Sequence, residues 1–310
     1  MIVLQGDPAD WDTPERGSAV AVGVFDGVHL GHQRVLSALQ GNDYGLARVA
    51  MTFGTHPAAV LAPDRAPTRL STLKRRFELL ETSGIDRIAV LGFDESMRDM
   101  TPDEFVDRFL VEGLNTRFVA VGVGFRFGRD AAGTTDTLAE LGASRGFRVE
   151  VVEIARQGEQ EIRSTLIRER VESGDVEGAT SMLGRPYEME GIVVPGDGRG
   201  RQLGVPTANV SFPAVLTVPA EGVYAVLVGI DGSDHRGVAN LGVRPTFDGT
   251  ERVLEVHVLD GDMDLYGKQI RVGFVRRIRE ERRFASVEEL LTQIRTDINA
   301  ASRILDEQAS

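Results

Sequence analysis

Residues 23–36 read GVFDGVHLGHQRVL. An apolar run, AVAVGVF at 19–25, leads into this stretch, and GHQRVLSALQ at 31–40 leaves it with apolar residues at helical spacing. The pattern predicts a buried strand ending at Phe25, a tight turn, and a helix beginning near His32. Gly27 and Gly31 would let the backbone approach a ligand closely, and a helix N-terminus attracts phosphate. His29 and His32 beside such a turn can act as donors that neutralise charge growing on a nucleotide's α-phosphate. Taken singly, each histidine reads as a surface residue on a strand-to-helix turn. The whole string favours nucleotide binding.

Outward from this turn, the strand-then-helix rhythm repeats. ARVAMTF (47–53) precedes TLKRRFELLETSG, DRIAVLGF (86–93) precedes TPDEFVDRFLVEG, RFVAVGV (117–123) precedes DTLAELGASRG, and RVEVVEI (148–154) closes the series. Such alternation is what a parallel α/β sheet with covering helices produces. RSTLIRERVESGDVEGATSMLG reads as a pair of short helices. Beyond it YEMEGIVVPG, GVYAVLVGI, HRGVANLGV, VLEVHVLD and QIRVGFVRRI are short strands between Gly, Asp and Pro turns, the pattern of a small antiparallel barrel. SVEELLTQIRTDINAASRIL (286–305) has a Ser-x-x-Glu start and a 3.6-residue apolar period, so a terminal helix packs on the barrel. Two domains follow, 1–184 and 185–310, within a length that suits two ordinary cores.

Composition narrows the function. With 42% apolar and 26% charged residues the chain has a globular make-up, and no apolar run is long enough to cross a bilayer. The first residues turn acidic before a signal-peptide core can form, and cysteine is absent, which together imply a cytoplasmic setting. A formal charge of −12 argues against a nucleic-acid partner, because phosphate-backbone affinity needs surplus Lys and Arg. Phosphate chemistry here must rest on locally placed groups. No repeat or low-complexity tract marks an assembly surface, so oligomeric state is open.

A second constellation lies in the barrel half. PGDGRGRQLGVPTANV (195–210) carries Gly196, Asp197, Gly198 and Gly200, a loop whose free N–H groups can wrap phosphates, and then Thr207 and Asn209, whose oxygens suit Mg²⁺. A plain hairpin loop would explain the glycines but not their union with PTAN. Glu255 sits in the alternating strand LEVHVLD. From position alone it reads as a surface residue, although phosphoryl transfer to a hydroxyl needs such a carboxylate as general base.

The string Gly23-x-Phe25-Asp26-Gly27-x-His29-x-Gly31-His32 resembles the signature of the HxGH nucleotidyltransferases, Rossmann-like enzymes that join a nucleoside triphosphate to a phosphate-bearing partner. RSTLIR (163–168) stands where that superfamily has its second phosphate loop, placing Ser164, Thr165 and Arg168 in matching positions. GDGRGRQLGVPTAN, GVANLGVRPTF, LEVHVLD and DLYGKQIRV together resemble the riboflavin kinase domain. In this order the two halves are similar to the bacterial bifunctional riboflavin kinase/FAD synthetases over nearly the whole chain. The resemblance implies that the barrel phosphorylates riboflavin to FMN, with Glu255 as base, Thr207 and Asn209 as Mg²⁺ ligands, ATP as co-substrate and Arg279 as a flavin contact. It implies that the first domain adenylylates FMN to FAD, with His29, His32, Ser164, Thr165 and Arg168 stabilising charge and with Gly23, Phe25, Asp26, Gly27, Gly31 and His56 at the nucleotide.

Several positions depart from the family pattern. Gly54 and Thr55 stand where Asp and Pro usually precede His56 and Pro57, Gly124 replaces an Asn or Asp, and Arg163 replaces the first Ser of the phosphate loop. An unpaired polar group of a substrate costs about 1–3 kcal/mol. One alternative therefore keeps the kinase and leaves the first domain weak, inactive or changed in specificity. Another is a flavin-binding regulator without turnover, against which Thr207, Asn209 and Glu255 argue, since a binder has no use for a magnesium pair plus a base.

Overall fold

The computed structural model describes residues 1–310 except 42–44, 197–199, 201–202, 247–248, 260, 262 and 310. Asp197 and Gly198 of the anticipated phosphate loop lie outside the described residues. The chain forms two compact units, one of Met1–Pro67 with Leu73–Arg163 and one of Thr68–Thr72 with Ser164–Ser310.

The first unit runs β1 (Ile2–Leu4), β2 (Ser18–Val22), α1 (Leu30–Ser37), β3 (Ala47–Phe53), α2 (Pro57–Leu61), α3 (Leu73–Thr82), β4 (Arg87–Leu91), α4 (Glu95–Asp99) and α5 (Pro102–Phe105). It continues through the π-type turns of Val106–Gly113 to β5 (Thr116–Gly122), α6 (Thr135–Arg145), β6 (Arg148–Val152) and the small hairpin β7 (Arg156–Gln157) and β8 (Gln160–Glu161). Strands β1 to β6 make one six-stranded sheet in the order β1-β4-β3-β2-β5-β6, and every pairing is parallel. All of β2 is buried because both faces are covered. Val20 and Val22 pack into one apolar layer with Val49, Met51, Val119 and Val121, whereas Ala19 and Ala21 join Phe25, Leu36, Leu80 and Ile88 in the other.

Two boundaries differ from the expectation. Strand β2 stops at Val22 rather than Phe25, because Phe25 (φ 52°) and Gly27 (φ 75°) take left-handed backbone that no strand contains. Helix α1 starts at Leu30, two residues before His32, with His29 as its N-cap. The sheet also includes β1 at its edge, beside β4.

The second unit begins with α7 (Ser164–Ser173) and α8 (Val176–Leu183), the expected helix pair. It continues as β9 (Tyr187–Val194), β10 (Ala208–Ser211), β11 (Gly222–Ile230), β12 (Ser233–Thr246), β13 (Gly249–Val258), β14 (Gln269–Arg279) and α9 (Val287–Ala309). The strands close a barrel in the order β10-β13-β12-β11-β14-β9 by antiparallel pairings. Leu254, Val256 and Val258 are buried on one side of β13 while Glu255 and His257 are half-buried on the other, as a period of two requires. Strand β10, unforeseen in the sequence, carries Asn209. The terminal helix packs Ala301 and Leu305 against Ala225 and Val275, and Ser286 caps it by accepting from the Glu289 N–H at 3.2 Å.

Residues Thr68–Thr72 form a strap on this unit. Arg69 pairs in parallel with Leu216, its N–H donating to the Val215 carbonyl at 2.7 Å and its carbonyl accepting from Thr217 at 2.8 Å. The Thr68 and Thr217 hydroxyls meet at 2.9 Å, and Thr72 donates to the Glu190 carboxylate.

Candidate active sites

In the first unit, the strand order marks where a candidate site lies. Chain order reverses between β2 and β5, and ligands of open parallel sheets bind at the carboxyl ends of strands beside such a reversal. The carboxyl end of β2 opens into Gly23 and Phe25–His32, that of neighbouring β3 into Gly54, Thr55 and His56, and that of β5 into Gly124. The motif and the departures at 54, 55 and 124 therefore share one edge of the sheet.

The turn itself is strained. Phe25, Gly27 and Val28 all have positive φ, and a β-branched residue such as Val28 (φ 39°) rarely tolerates this. Close packing explains two of the glycines. A Cβ on Gly31 would lie 3.0 Å from the His29 ring, and one on Gly23 would lie 3.2 Å from the Phe25 ring. Without these side chains the rings fold back over the start of α1. His29 Nδ1 accepts the His32 backbone N–H at 3.2 Å, so its other nitrogen carries the proton in the neutral ring. The two imidazoles stack with centroids 3.6 Å apart. Burial, followed by the neighbouring His29 and Arg76, lowers the pKa of His32 well below the ordinary value, leaving a neutral ring at physiological pH. Its Nδ1 is enclosed without a hydrogen-bond partner among the described residues. Asp26 is buried in the same turn.

Arg76 was missed in the sequence. It is 2% exposed and donates to the Phe53 carbonyl at 3.0 Å, holding a cation beside the histidine pair. A signal existed, since Arg76 lies three and four residues before the buried Leu79 and Leu80, on the apolar face of α3. His56 is the N-cap of α2, its Nδ1 accepting from Ala58 N–H at 3.1 Å. Ser164 and Thr165 open α7 and Arg168 lies one turn on, reaching the Thr165 hydroxyl at 3.4 Å; these residues belong to the second unit.

In that unit, a cavity of about 590 Å³ opens between the outer barrel wall and α9, a size typical of small-ligand sites. Cross-strand register builds its polar side. Asn209 of β10 is the direct partner of Glu255 in β13, and Glu255 is in turn the direct partner of Asn240 in β12. Directly opposed residues share a face, so an amide, a carboxylate and a second amide stand in a row. All three line the cavity, as do Thr207, Gly196 and Gly200. A Cβ on Gly196 would fall 2.0 Å from the Asn209 amide nitrogen, and one on Gly200 would fall 2.5 Å from the Val205 carbonyl. Only glycine lets the loop close this tightly on the strand.

The opposite wall is apolar and comes from α9, through Leu290, Ile294 and Ile298 at helical spacing. Arg279 lines the cavity too, but its guanidinium is bound to Asp297 and stacked over Phe284 at 5.7 Å. Asn240 donates to Glu281 at 3.3 Å. The sequence assigns no role to Asn240, Glu281 or Phe284, because only the folded chain brings them to the cavity that Glu255 also lines.

Among the described residues no group of three or more His, Cys, Asp or Glu could hold a metal. Thr207 and Asn209 offer neutral oxygens beside the glycine loop, which suits Mg²⁺, an ion that takes much of its coordination from substrate phosphates and water.

Known proteins share this architecture. A riboflavin kinase family model matches residues 183–305 and an FAD synthetase family model matches residues 12–166. The bifunctional riboflavin kinase/FMN adenylyltransferase of Pseudomonas fluorescens is 41% identical over 289 residues, covering 92% of each chain. That of Escherichia coli K12 is 39% identical over 92% of this chain and 91% of its own. The Bacillus subtilis protein of the same name is 37% identical over 92% of each chain. A crystal structure from Streptococcus pneumoniae described as a macrolide-efflux protein superposes with a TM-score of 0.89 at 31% identity, over 97% of this chain and 99% of that one. In the present chain no helix among the described residues is long and apolar enough to cross a membrane. With both domain models in this order and this level of identity across nine-tenths of its length, the chain belongs to the bifunctional riboflavin kinase/FMN adenylyltransferase family.

Proposed function

We propose that the protein converts riboflavin to FMN in the barrel and FMN to FAD in the α/β domain, using ATP in both steps. The observation that carries this reading is the row Asn209, Glu255, Asn240 at the mouth of a cavity closed on its other side by apolar α9. Glu255 takes the proton from the 5′-hydroxyl of riboflavin as that oxygen attacks the γ-phosphorus of ATP, and ADP leaves. The loop of Gly196 and Gly200 covers the phosphates, with Asp197 and Gly198 between them. The apolar wall of α9 takes the flavin ring. Mg²⁺, when bound by Thr207 and Asn209, supplies charge neutralisation at the phosphates. Arg279 acts by holding Asp297 and hence the wall.

In the first domain a phosphate oxygen of FMN attacks the α-phosphorus of ATP, and the bond to the β-phosphate oxygen breaks, releasing pyrophosphate. His29, with its outer nitrogen protonated, and Arg76 stabilise the charge, and His32 stacks behind His29. Ser164, Thr165 and Arg168 serve as the second phosphate loop, and Gly23, Phe25, Asp26, Gly27, Gly31 and His56 shape the nucleotide pocket. We place the functional boundary at 184/185, since the riboflavin kinase model begins at residue 183. A cytoplasmic location suits an ATP-dependent enzyme with no cysteine.

A second reading, in which the first domain has lost or changed its reaction, rests on Gly54, Thr55, Gly124 and Arg163. Against it, Gly124 keeps φ at 82°, a backbone that Asn also adopts, with nothing within 4 Å of a Cβ built there. The site has kept the shape that an Asn would use. Purified protein with riboflavin, ATP and Mg²⁺, followed by chromatography, tests both. FMN followed by FAD and pyrophosphate is expected; FMN alone selects the second reading, and neither product overturns both.

A further inference from the structure

We infer that His257 is a positioning residue of the kinase site, which latches the peptide carrying Thr207 to the strand carrying Glu255. This rests on the kinase reading above. His257 Nδ1 lies 2.7 Å from the Pro206 carbonyl oxygen. A carbonyl can only accept, so Nδ1 carries a proton and donates it to Pro206. The bond joins two elements far apart in sequence, strand β13 and the loop that enters β10.

Proline makes this bond consequential. Pro206 has no N–H to anchor, and its ring already fixes φ, so the orientation of its carbonyl is the freedom that remains before Thr207. His257 removes that freedom. On the far side, the Gly200 carbonyl accepts from Leu203 at 3.1 Å and from Val205 at 2.9 Å, closing the loop as a turn. The Val205 N–H and the Pro206 carbonyl are therefore both held, one by Gly200 and the other by the imidazole.

Strand geometry ties the latch to the chemistry. His257 and Glu255 are two residues apart on one face of β13, and Asn209 is the cross-strand partner of Glu255. One strand thus presents the base, faces one proposed metal ligand and, through His257, sets the backbone of the other. Outer contacts of this kind orient ligands without touching the metal, and losing one typically costs about 10–100-fold in metal affinity or activity.

The test compares His257→Asn with His257→Gln. An Asn amide nitrogen falls near the place of Nδ1 and can still reach Pro206, whereas the longer Gln places its amide elsewhere. The two variants share polarity and differ in reach. Mn²⁺ binding to the full-length protein with riboflavin and a non-hydrolysable ATP analogue would be followed by electron paramagnetic resonance, alongside kcat and the KM for riboflavin. The expected result is a Mn²⁺ affinity about tenfold or more weaker for Gln, an affinity near wild type for Asn, and an unchanged riboflavin KM in both. Equal Mn²⁺ affinities in wild type and Gln would overturn the latch, and so would equal losses in Asn and Gln. A wild-type protein that makes FMN while the variants behave in either of those ways removes only this inference; a wild-type protein that makes no FMN removes the kinase reading beneath it.

Discussion

Arg279 donates through Nε and Nη2 to Asp297 at 3.1 and 2.8 Å, so the last residue of β14 is bonded to the middle of α9. Asp297 is 3% exposed, and Gln293 adds a third donor at 2.7 Å. Removing the carboxylate leaves a mostly buried guanidinium without its partner. Asp297→Ala should therefore cost ~3 kcal/mol in urea unfolding and raise the riboflavin KM as the apolar wall loosens. Arg279→Lys should recover little of the wild-type KM, because an ammonium cannot reproduce the planar fork.

His32 gives a pH dependence with a definite sign. Its folded pKa is lowered, chiefly by burial, so the unfolded chain takes up the proton first as the pH falls. The stabilisation is complete above about pH 6.5 and declines below it, toward the folded-state pKa. Thermal melts of wild type and His32→Gln between pH 5 and pH 8 should diverge in slope below that point and run parallel above it. Parallel curves throughout would mean that the ring is solvated in both states.

Glu255→Gln keeps the size of the side chain and one accepting oxygen but removes the base. FMN formation should fall by about 10²–10⁴-fold, while calorimetry finds riboflavin binding nearly unchanged. Retained turnover would exclude Glu255 from proton transfer.

Gly196→Ala probes the amide that faces the loop. The added methyl would overlap the Asn209 side chain, which can swing away more easily than backbone can. Melting temperature should stay close to wild type while the Mg²⁺ concentration needed for half-maximal FMN formation rises. An unchanged Mg²⁺ requirement would argue that Asn209 is not a ligand.

Gly124→Asn should fold as well as wild type, given the left-handed backbone and the open space around the position. Gly124→Val should lose stability, since a β-branched residue tolerates that φ poorly. If position 124 contacts FMN, the Asn variant lowers the FMN KM in FAD formation and leaves riboflavin phosphorylation untouched. An identical FMN KM would place residue 124 outside the flavin contact.

The alternation of strands and helices was readable because a doubly covered parallel sheet leaves continuous apolar runs such as AVAV at 19–22, and the barrel because its strands alternate. The motif was readable because its glycines are dictated by the packing of neighbouring rings. Less was visible where the decisive fact is pairing between distant residues. Asn240 reaches the site through register with Glu255, and His257 through a bond to a loop fifty-one positions away. Strand β10 escaped notice because PTANVS carries little strand character on its own, and its place is set by Val193 and Leu254 on either side. The end of β2 was misplaced because Phe25 looks like a strand residue and gains its left-handed backbone only from the turn around it.

The strap of Thr68–Thr72 makes the second compact unit discontinuous in sequence. The polypeptide visits the barrel unit for five residues before finishing the α/β unit. A single scission after Arg163 would leave Arg69, the bridge partner of Leu216, on the other fragment.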